Sequence, residues 1–418
     1  MKIAVIGGGS TYTPELIEGL AMWELAGGPS RVVLQDIDRE RLDVVTRFSG
    51  RMAAGLSSKL IVESTTSFED AVDRAQFVII QIRVGGQKAR HEDIRMGLER
   101  NLIGQETTGV GGFAKALRTV PVVVDMARRI RDTNPTAWII NFTNPSGIVT
   151  EAVCRLATTR CVGLCNVPKE FQMDVARHMR VEPEQVELDW VGLNHLGWAR
   201  RVLVEGRDIV PYLVERLGKP GAPKNIPDLD YPKGFLKALQ MLPSSYVRYY
   251  YAPDEMLQKL VAAPRTRAQE VMEIEEKLLD YYRDEANNSK PLLLSERGGA
   301  WYSRVAVEVM TALTRETASR LIVNTLNRGA IEGMQVDACV EIPAQVSAKG
   351  VFPIRIGEVE ESIFGLMAQV KAYERLTIDA AMDRNRSKAL MALLANPLVG
   401  GVGKAMEVLE AVKNRGLI

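Results

Sequence analysis

A doubly wound α/β sheet followed by a mixed α/β region is the fold class that three observations in this sequence predict. Apolar runs recur through the first 165 or so residues, and they are near-continuous rather than alternating, as in parallel strands buried on both faces. Helical patterns separate them in the β-α-β rhythm of a doubly wound fold. A glycine cluster at 7–9 follows the first run directly.

The elements follow in order. "KIAVIG" (2–7), "RVVLQDID" (31–38), "FVIIQI" (77–82), "AWIINFT" (137–143) and "RCVGLCN" (160–166) read as strands, with "LIVESTT" (60–66) as a further one. Helical periodicity covers 13–26, 39–55, 115–133 and 145–157, and "FEDAVDRA" (68–75) is a short helix. The rhythm then changes. "KEFQMDVARHM" (169–179) reads as a helix, and 186–210 as a strand pair turning at "EG". A loop rich in Pro and Lys spans 218–233. Long helices follow, including 267–286; 320–331 and 337–347 read as strands, and 356–416 is mostly helical.

Composition excludes more than it identifies. The 418 residues suit two domains. Lys plus Arg total 53 against 52 for Asp plus Glu, a net charge of +1 with no electrostatic case for nucleic acid or an acidic membrane. No apolar run is long enough for a membrane span, and the apolar N-terminal run ends in glycines with no cleavage-like region after it. Cys154, Cys161, Cys165 and Cys339 have neither metal-knuckle spacing nor a dense disulfide pattern, so a reducing cytoplasm is expected.

In "VIGGGST", Gly7, Gly8 and Gly9, with Ser10 and Thr11, lie between a strand and a helix. Glycines there let a phosphate approach the backbone at a helix N-terminus. Asp36 ends the second strand, where an acid holds a ribose 2′-hydroxyl and repels an added phosphate. The pattern is that of a Rossmann-type domain binding NAD. Its plain alternative is a turn in a nucleotide-free α/β protein. Tyr12 stands where the usual fingerprint has its third glycine or alanine, so helix packing has to adapt.

Four more polar stretches sit at strand ends, where a doubly wound sheet builds its site: "GQETTGVGG" (104–112), "NFTNPSG" (141–147), "GLCNVP" (163–168) and "GLNHLG" (192–197). With "VIGGGST" they resemble the family 4 glycoside hydrolases, NAD- and metal-dependent enzymes outside the two-carboxylate rule. The resemblance continues through "YVRYY" (246–250), "QEVMEIE" (269–275), "RGG" (297–299) and "YERLTIDA" (373–380). "GQETTGVGG" and "GLCNVP" resemble its 6-phospho-β-glucosidase branch.

The resemblance implies a lactate/malate dehydrogenase-like architecture, with an NAD-binding domain over 1–168 and a substrate, metal and oligomerisation domain over 169–418. It implies Cys165 and His195 as ligands of a divalent metal, manganese in this family, and Tyr246 as catalytic base. Glu106 matches an acid supporting that base. Arg90, Asn144 and Arg267 match substrate-contacting positions, with Arg265 two residues from the last. Asn166 stands where the α-glycoside branch has an aspartate as general acid. That argues against the α branch and leaves the proton donor to the leaving group unassigned. The implied assembly is a homodimer or homotetramer, and the implied substrate a small glycoside, 6-phosphorylated.

Elimination chemistry needs these residue types. Oxidation at sugar C3 acidifies the C2 proton, a base removes it, the C1–O bond breaks, and water adds back. This asks for a cofactor, a Lewis acid at the C2 and C3 oxygens and one base. A Cys/His pair by itself is soft and suits zinc or copper; manganese is implied only by the resemblance. A tyrosine base, ordinarily near pKa about 10, needs a metal or cation beside it.

Each residue alone has a plainer reading. Cys165 would be a small core residue, His195 a hydrogen-bonded structural one, Tyr246 packing in a tyrosine cluster, and Glu106 a helix cap. His91 and His178 keep the plain reading. Two rival functions remain. An NAD-dependent 2-hydroxyacid dehydrogenase would use His195 without metal, and an NAD sensor would bind without turnover.

Overall fold

The structure is a computed structural model describing residues 1–216, 226–232, 234–298 and 301–418. Most of the expected Pro/Lys-rich loop at 218–233, and Gly299 of "RGG", lie outside the described residues.

The unbroken apolar runs have the burial they call for. In β1 (Lys2–Ile6), Ile3 and Val5 face one core, and Ala4 and Ile6 the other, as period-2 side chains must. β2 (Arg31–Gln35), β3 (Ile61–Thr65), β4 (Phe77–Ile80), β5 (Trp138–Asn141) and β6 (Cys161–Gly163) pair in parallel in the order β6-β5-β4-β1-β2-β3. β3 is half-exposed at the edge. Helices Thr13–Leu25 and Arg39–Gly55 cover one face, and Val110–Thr133 and Ser146–Leu156 the other.

The second half of the chain builds two things. β7 (Val186–Leu193), β8 (Leu196–Val204), the short β9 (Arg207–Asp208) and β10 (Leu242–Pro243) form a small antiparallel sheet. β11 (Ser319–Leu326), β12 (Cys339–Ser347) and β13 (Gly350–Pro353) extend the first sheet antiparallel, beginning at Asn324 against Gly163. Residues 1–168 and 169–418 therefore share one nine-stranded sheet. They also share core: Val323, Ala344 and Val346 pack in the cluster of Ile3 and Val5. Helices Glu361–Asp383, Arg386–Ala395 and Val402–Asn414 close the chain.

Three local readings need correction. The strand pair turns at Asn194–His195, with Leu193 opposite Leu196; Glu205–Gly206 makes only the return into β9. "EG" is a stronger turn signal than "NH", but the apolar flanks of "LNHL" close over each other and set the register. Helix Gly86–Leu98 carries no clear apolar stripe and was not expected; two left-handed glycines, Gly85 (φ +82°) and Gly86 (φ +65°), begin it. Helix Val110–Thr133 also starts five residues before the expected 115.

Candidate active site

A cleft of about 1070 Å³ opens at the carboxyl ends of the parallel strands, where a doubly wound sheet places its ligands. Gly7, Gly9, Ser10, Asp36, Arg90, Glu106, Asn144, Asn166, His195, Tyr246 and Arg267 line it. Gly8, Thr11 and Cys165 do not. Gly8 is packed against β2, where a Cβ would meet that of Leu34 at 2.7 Å, and Thr11 is fully buried. Cys165 lines a second cavity of about 380 Å³.

The glycine turn fits a dinucleotide. Gly7 is left-handed (φ +87°), and a Cβ on Gly9 would meet Asp36 Oδ2 at 2.9 Å. The Gly9 N–H donates to Asp36 Oδ2 at 2.9 Å, and the Asp38 N–H to Asp36 Oδ1 at 3.1 Å. This orients the carboxylate at the rim, where a ribose would lie. Tyr12, in the place of the usual small residue, packs edge-on against Tyr302 (5.4 Å) beneath the Arg297 guanidinium. That contact is how the helix accommodates it.

The hairpin β7–β8 delivers His195 to the cleft. His195 is left-handed (φ +63°), uncommon for a residue with a Cβ. Its neighbour holds the tip: Asn194 Nδ2 donates to Glu341 Oε1 at 3.2 Å, as does Asn324 Nδ2 at 3.2 Å, while Trp190 Nε1 donates to Oε2 at 3.2 Å. Burial pushes Glu341 up to about 7 against the pull of these donors. The His195 ring stacks on Tyr246, centroids 3.7 Å apart and 9° from parallel. Burial pulls its pKa down to about 3, so the imidazole is neutral. Its Nδ1 is buried with no hydrogen-bond partner.

A divalent metal fits this donor set. A neutral imidazole with a vacant buried nitrogen is the protonation state that a metal ligand needs. Cys165 accepts from Val167 N–H at 3.5 Å and is hydrogen-bonded by the Asn194 side chain, which ties it to the hairpin tip. Burial, then Glu341, pushes its thiol up, so metal binding would displace a proton from it. No group of three or more His, Cys, Asp and Glu suited to a metal occurs among the described residues. A Cys/His pair leaves positions for substrate oxygens and water.

Cations enclose Glu106. Arg83 Nη1 pairs with Oε2, Arg90 Nη2 with Oε1 at 2.8 Å, and Lys115 Nζ with Oε2 at 2.9 Å. Burial raises the Glu106 pKa, but Arg83, Arg90 and Lys115 overcome it and hold the carboxyl well below its ordinary range. Burial, with Arg83 adding repulsion, pulls Lys115 down to about 7, and burial takes Arg90 to about 10.

Glu275 is a second anchor. It accepts from Arg41 Nη2 (2.8 Å), Gln87 Nε2 (3.2 Å) and Arg297 Nη2 (2.9 Å). Burial opposes its ionisation, yet Arg297 and Arg41 hold it down at about 2.

Arg267 begins the helix Arg267–Arg283 behind a Thr266/Gln269 capping box, whereas Arg265 is exposed and pairs with Glu273. Asn166 begins helix Val167–Met179 without a side-chain cap bond. His91 bonds Thr266 Oγ1 (2.8 Å), and His178 is exposed. Arg83, Lys115, Glu275, Arg297 and Glu341 were not singled out from sequence. They act through partners distant in the chain, and only "QEVMEIE" and "RGG" carried any signal for two of them.

Sheet order, glycine turn and strand-end cleft define a Rossmann-type α/β protein. A malate dehydrogenase of Plasmodium falciparum shares this fold at TM-score 0.55 and 12% identity, over 92% of this chain and 99% of that one. Profiles described as family 4 glycosyl hydrolase and its C-terminal domain match residues 2–181 and 190–399. The chain belongs to the family 4 glycosyl hydrolases. A 6-phospho-β-glucosidase of Thermotoga maritima is 40% identical over 99% of this chain and 97% of its own. A phospho-α-glucosidase of Clostridium acetobutylicum is 32% identical over 98% and 96%. The Thermotoga maritima enzyme solved with manganese, NAD⁺ and glucose-6-phosphate superposes at TM-score 0.90 and 38% identity, over 100% of this chain and 99% of that one.

Proposed function

We propose that the chain hydrolyses 6-phospho-β-glucosides with NAD and a divalent metal, manganese in the solved relative. The observation that carries this reading is the neutral His195, with its unpartnered buried Nδ1, stacked on Tyr246 in the cleft of the glycine turn. When bound, NAD supplies reversible oxidation at C3, and the metal polarises the neighbouring sugar oxygens.

The chain's own residues do the rest. Gly7 and Gly9 admit the pyrophosphate, and Asp36 accepts from the ribose hydroxyls. His195 and Cys165 hold the metal. Tyr246, beside His195, takes the C2 proton and later returns one. Glu106 keeps Arg83, Arg90 and Lys115 in place. Arg90 and Arg267 each retain a buried Nε–H with no partner, which supports an anionic substrate group such as a 6-phosphate. Asn166 cannot act as an acid, which supports the β-anomer, as does the higher identity to the β-specific relative. Exposed apolar side chains on the C-terminal helices, among them Val402 and Met391, support a homo-oligomer. No helix among the described residues is long and apolar enough to cross a membrane.

The test is turnover of 6-phospho-β-glucosides in deuterated water with NAD and manganese. Deuterium at C2 of the released sugar is expected. Cleavage with C2 wholly protonated would rule out elimination and remove Tyr246 from its role. Net release of NADH would instead favour the dehydrogenase reading. A higher kcat/KM for the α-anomer would reject the proposed stereochemistry.

A further inference from the structure

The leaving group still lacks a proton donor. An alkoxide is a poor leaving group, so breaking C1–O in an alkyl or sugar glycoside calls for an acid at that oxygen. Asn166 is an amide, Glu106 is ionised inside its cage of cations, and Glu275 is ionised by Arg41 and Arg297. None of them has a proton to give near neutrality.

Glu170 lines the same cleft. It sits one helical turn after Asn166, with the Glu170 N–H bonded to Asn166 O at 2.8 Å, so the two side chains share a helix face. Its neighbour Lys169 is engaged by Glu308 at 2.9 Å. The Glu170 carboxyl makes no hydrogen bond or ion pair among the described residues. An unpaired, largely buried carboxyl that opens into a catalytic cleft is unusual, because burial without a partner costs stability.

We propose that Glu170 is the general acid that protonates the departing glycosidic oxygen. The assignment rests on the elimination reading above. The carboxyl gives its proton to the oxygen as C1–O breaks, and the alcohol leaves neutral. When water adds to C1, it loses a proton to the Glu170 carboxylate, which restores the acid. Protons balance over the cycle without any further co-reactant. The surroundings suit this task. Burial, then Asp174 on the same helix, raises the Glu170 pKa to about 7. The other titratable groups that sense it are Tyr12 of the glycine turn and Cys165 after β6. The pKa values of two carboxyls of one cleft are thereby driven apart, that of Glu106 down and that of Glu170 up, the pattern by which acid and base roles separate.

The test is a series of 6-phospho-β-glucosides whose leaving groups run from nitrophenolate to simple alcohols, assayed with wild type, Glu170→Gln and Glu170→Asp. Wild type is expected to depend little on leaving-group pKa. Glu170→Gln should keep nitrophenyl activity and NAD affinity but lose about 10²–10⁴-fold on alkyl glycosides, giving a steep dependence. Glu170→Asp, the same acid with a shorter reach, should fall between. Slopes equal to wild type in both variants, or an equal loss on every leaving group, overturn the assignment. If wild type cleaves none of the series, it is the proposed substrate class that fails.

Discussion

The two ends of the cleft are built on different principles. At the cofactor end, the glycine turn and Asp36 come from the first 36 residues, and backbone N–H groups make the key contacts, as with Gly9 to Asp36. At the end proposed to react, Glu106, His195 and Tyr246 line the cleft and Cys165 a second cavity; they span about 140 residues of chain, and side chains hold them in place. A binding floor needs a backbone shape that a short stretch specifies. A reacting wall needs charges opposed across space, which no short stretch supplies. Substitutions should therefore separate: those at the floor change cofactor affinity, and those at the wall change turnover.

The largest expected effect is Tyr246→Phe. It should lower kcat by about 10²–10⁴-fold, as for a lost general base, with NAD affinity by fluorescence titration unchanged. A comparable loss of NAD affinity would erase the distinction between the ends.

Glu275 joins the two ends, through Arg41 and Arg297 on the side of the glycine turn and Gln87, bonded by Arg90, on the other. Its folded pKa of about 2 lies below the ordinary 4.5. With a depressed carboxylate pKa, the stabilisation is fully present above about pH 4.5 and is lost as pH falls toward 2. The size is about 3 kcal/mol at neutral pH. Thermal unfolding of wild type and Glu275→Gln should differ most at neutral pH and converge in acid. A pH-independent difference would show that the charge is not what Glu275 contributes.

Asp36→Ala tests the floor alone. Losing charged hydrogen bonds of about 1.5–3 kcal/mol should weaken NAD binding by about 10- to 100-fold, with kcat at saturating NAD preserved. A fall in kcat there would couple the ends.

The smallest effect is expected of Glu341→Gln, which removes support from the hairpin tip but also relieves Cys165 of a nearby negative charge. An amide keeps the shape but turns one donor against Asn194, Asn324 or Trp190. A net loss of about 1 kcal/mol should weaken manganese binding by about fivefold and leave NAD affinity alone, as read by metal titration. Unchanged metal affinity would mean that Asn194 positions His195 without Glu341.

Short-range patterning was legible in the residues alone. Unbroken apolar runs announced β1, β2, β4 and β5 as buried, because only strands covered on both faces use such runs. Three glycines after β1 and an acid after β2 announced the glycine turn and its contact to Asp36, because that geometry is made by residues close together. The five motifs announced the family. Tertiary structure alone decided the rest. It turned the hairpin at Asn194–His195 rather than at Glu205–Gly206, since register follows how apolar faces close over one another. It carried β11–β13 onto the edge of the first sheet, through a single pairing at Asn324 that no local pattern encodes. It lowered the Glu106 pKa within a cage of cations and raised that of Glu170 by burial. An isolated glutamate has one ordinary pKa, and only the charges and the burial that folding brings around it move that value down or up.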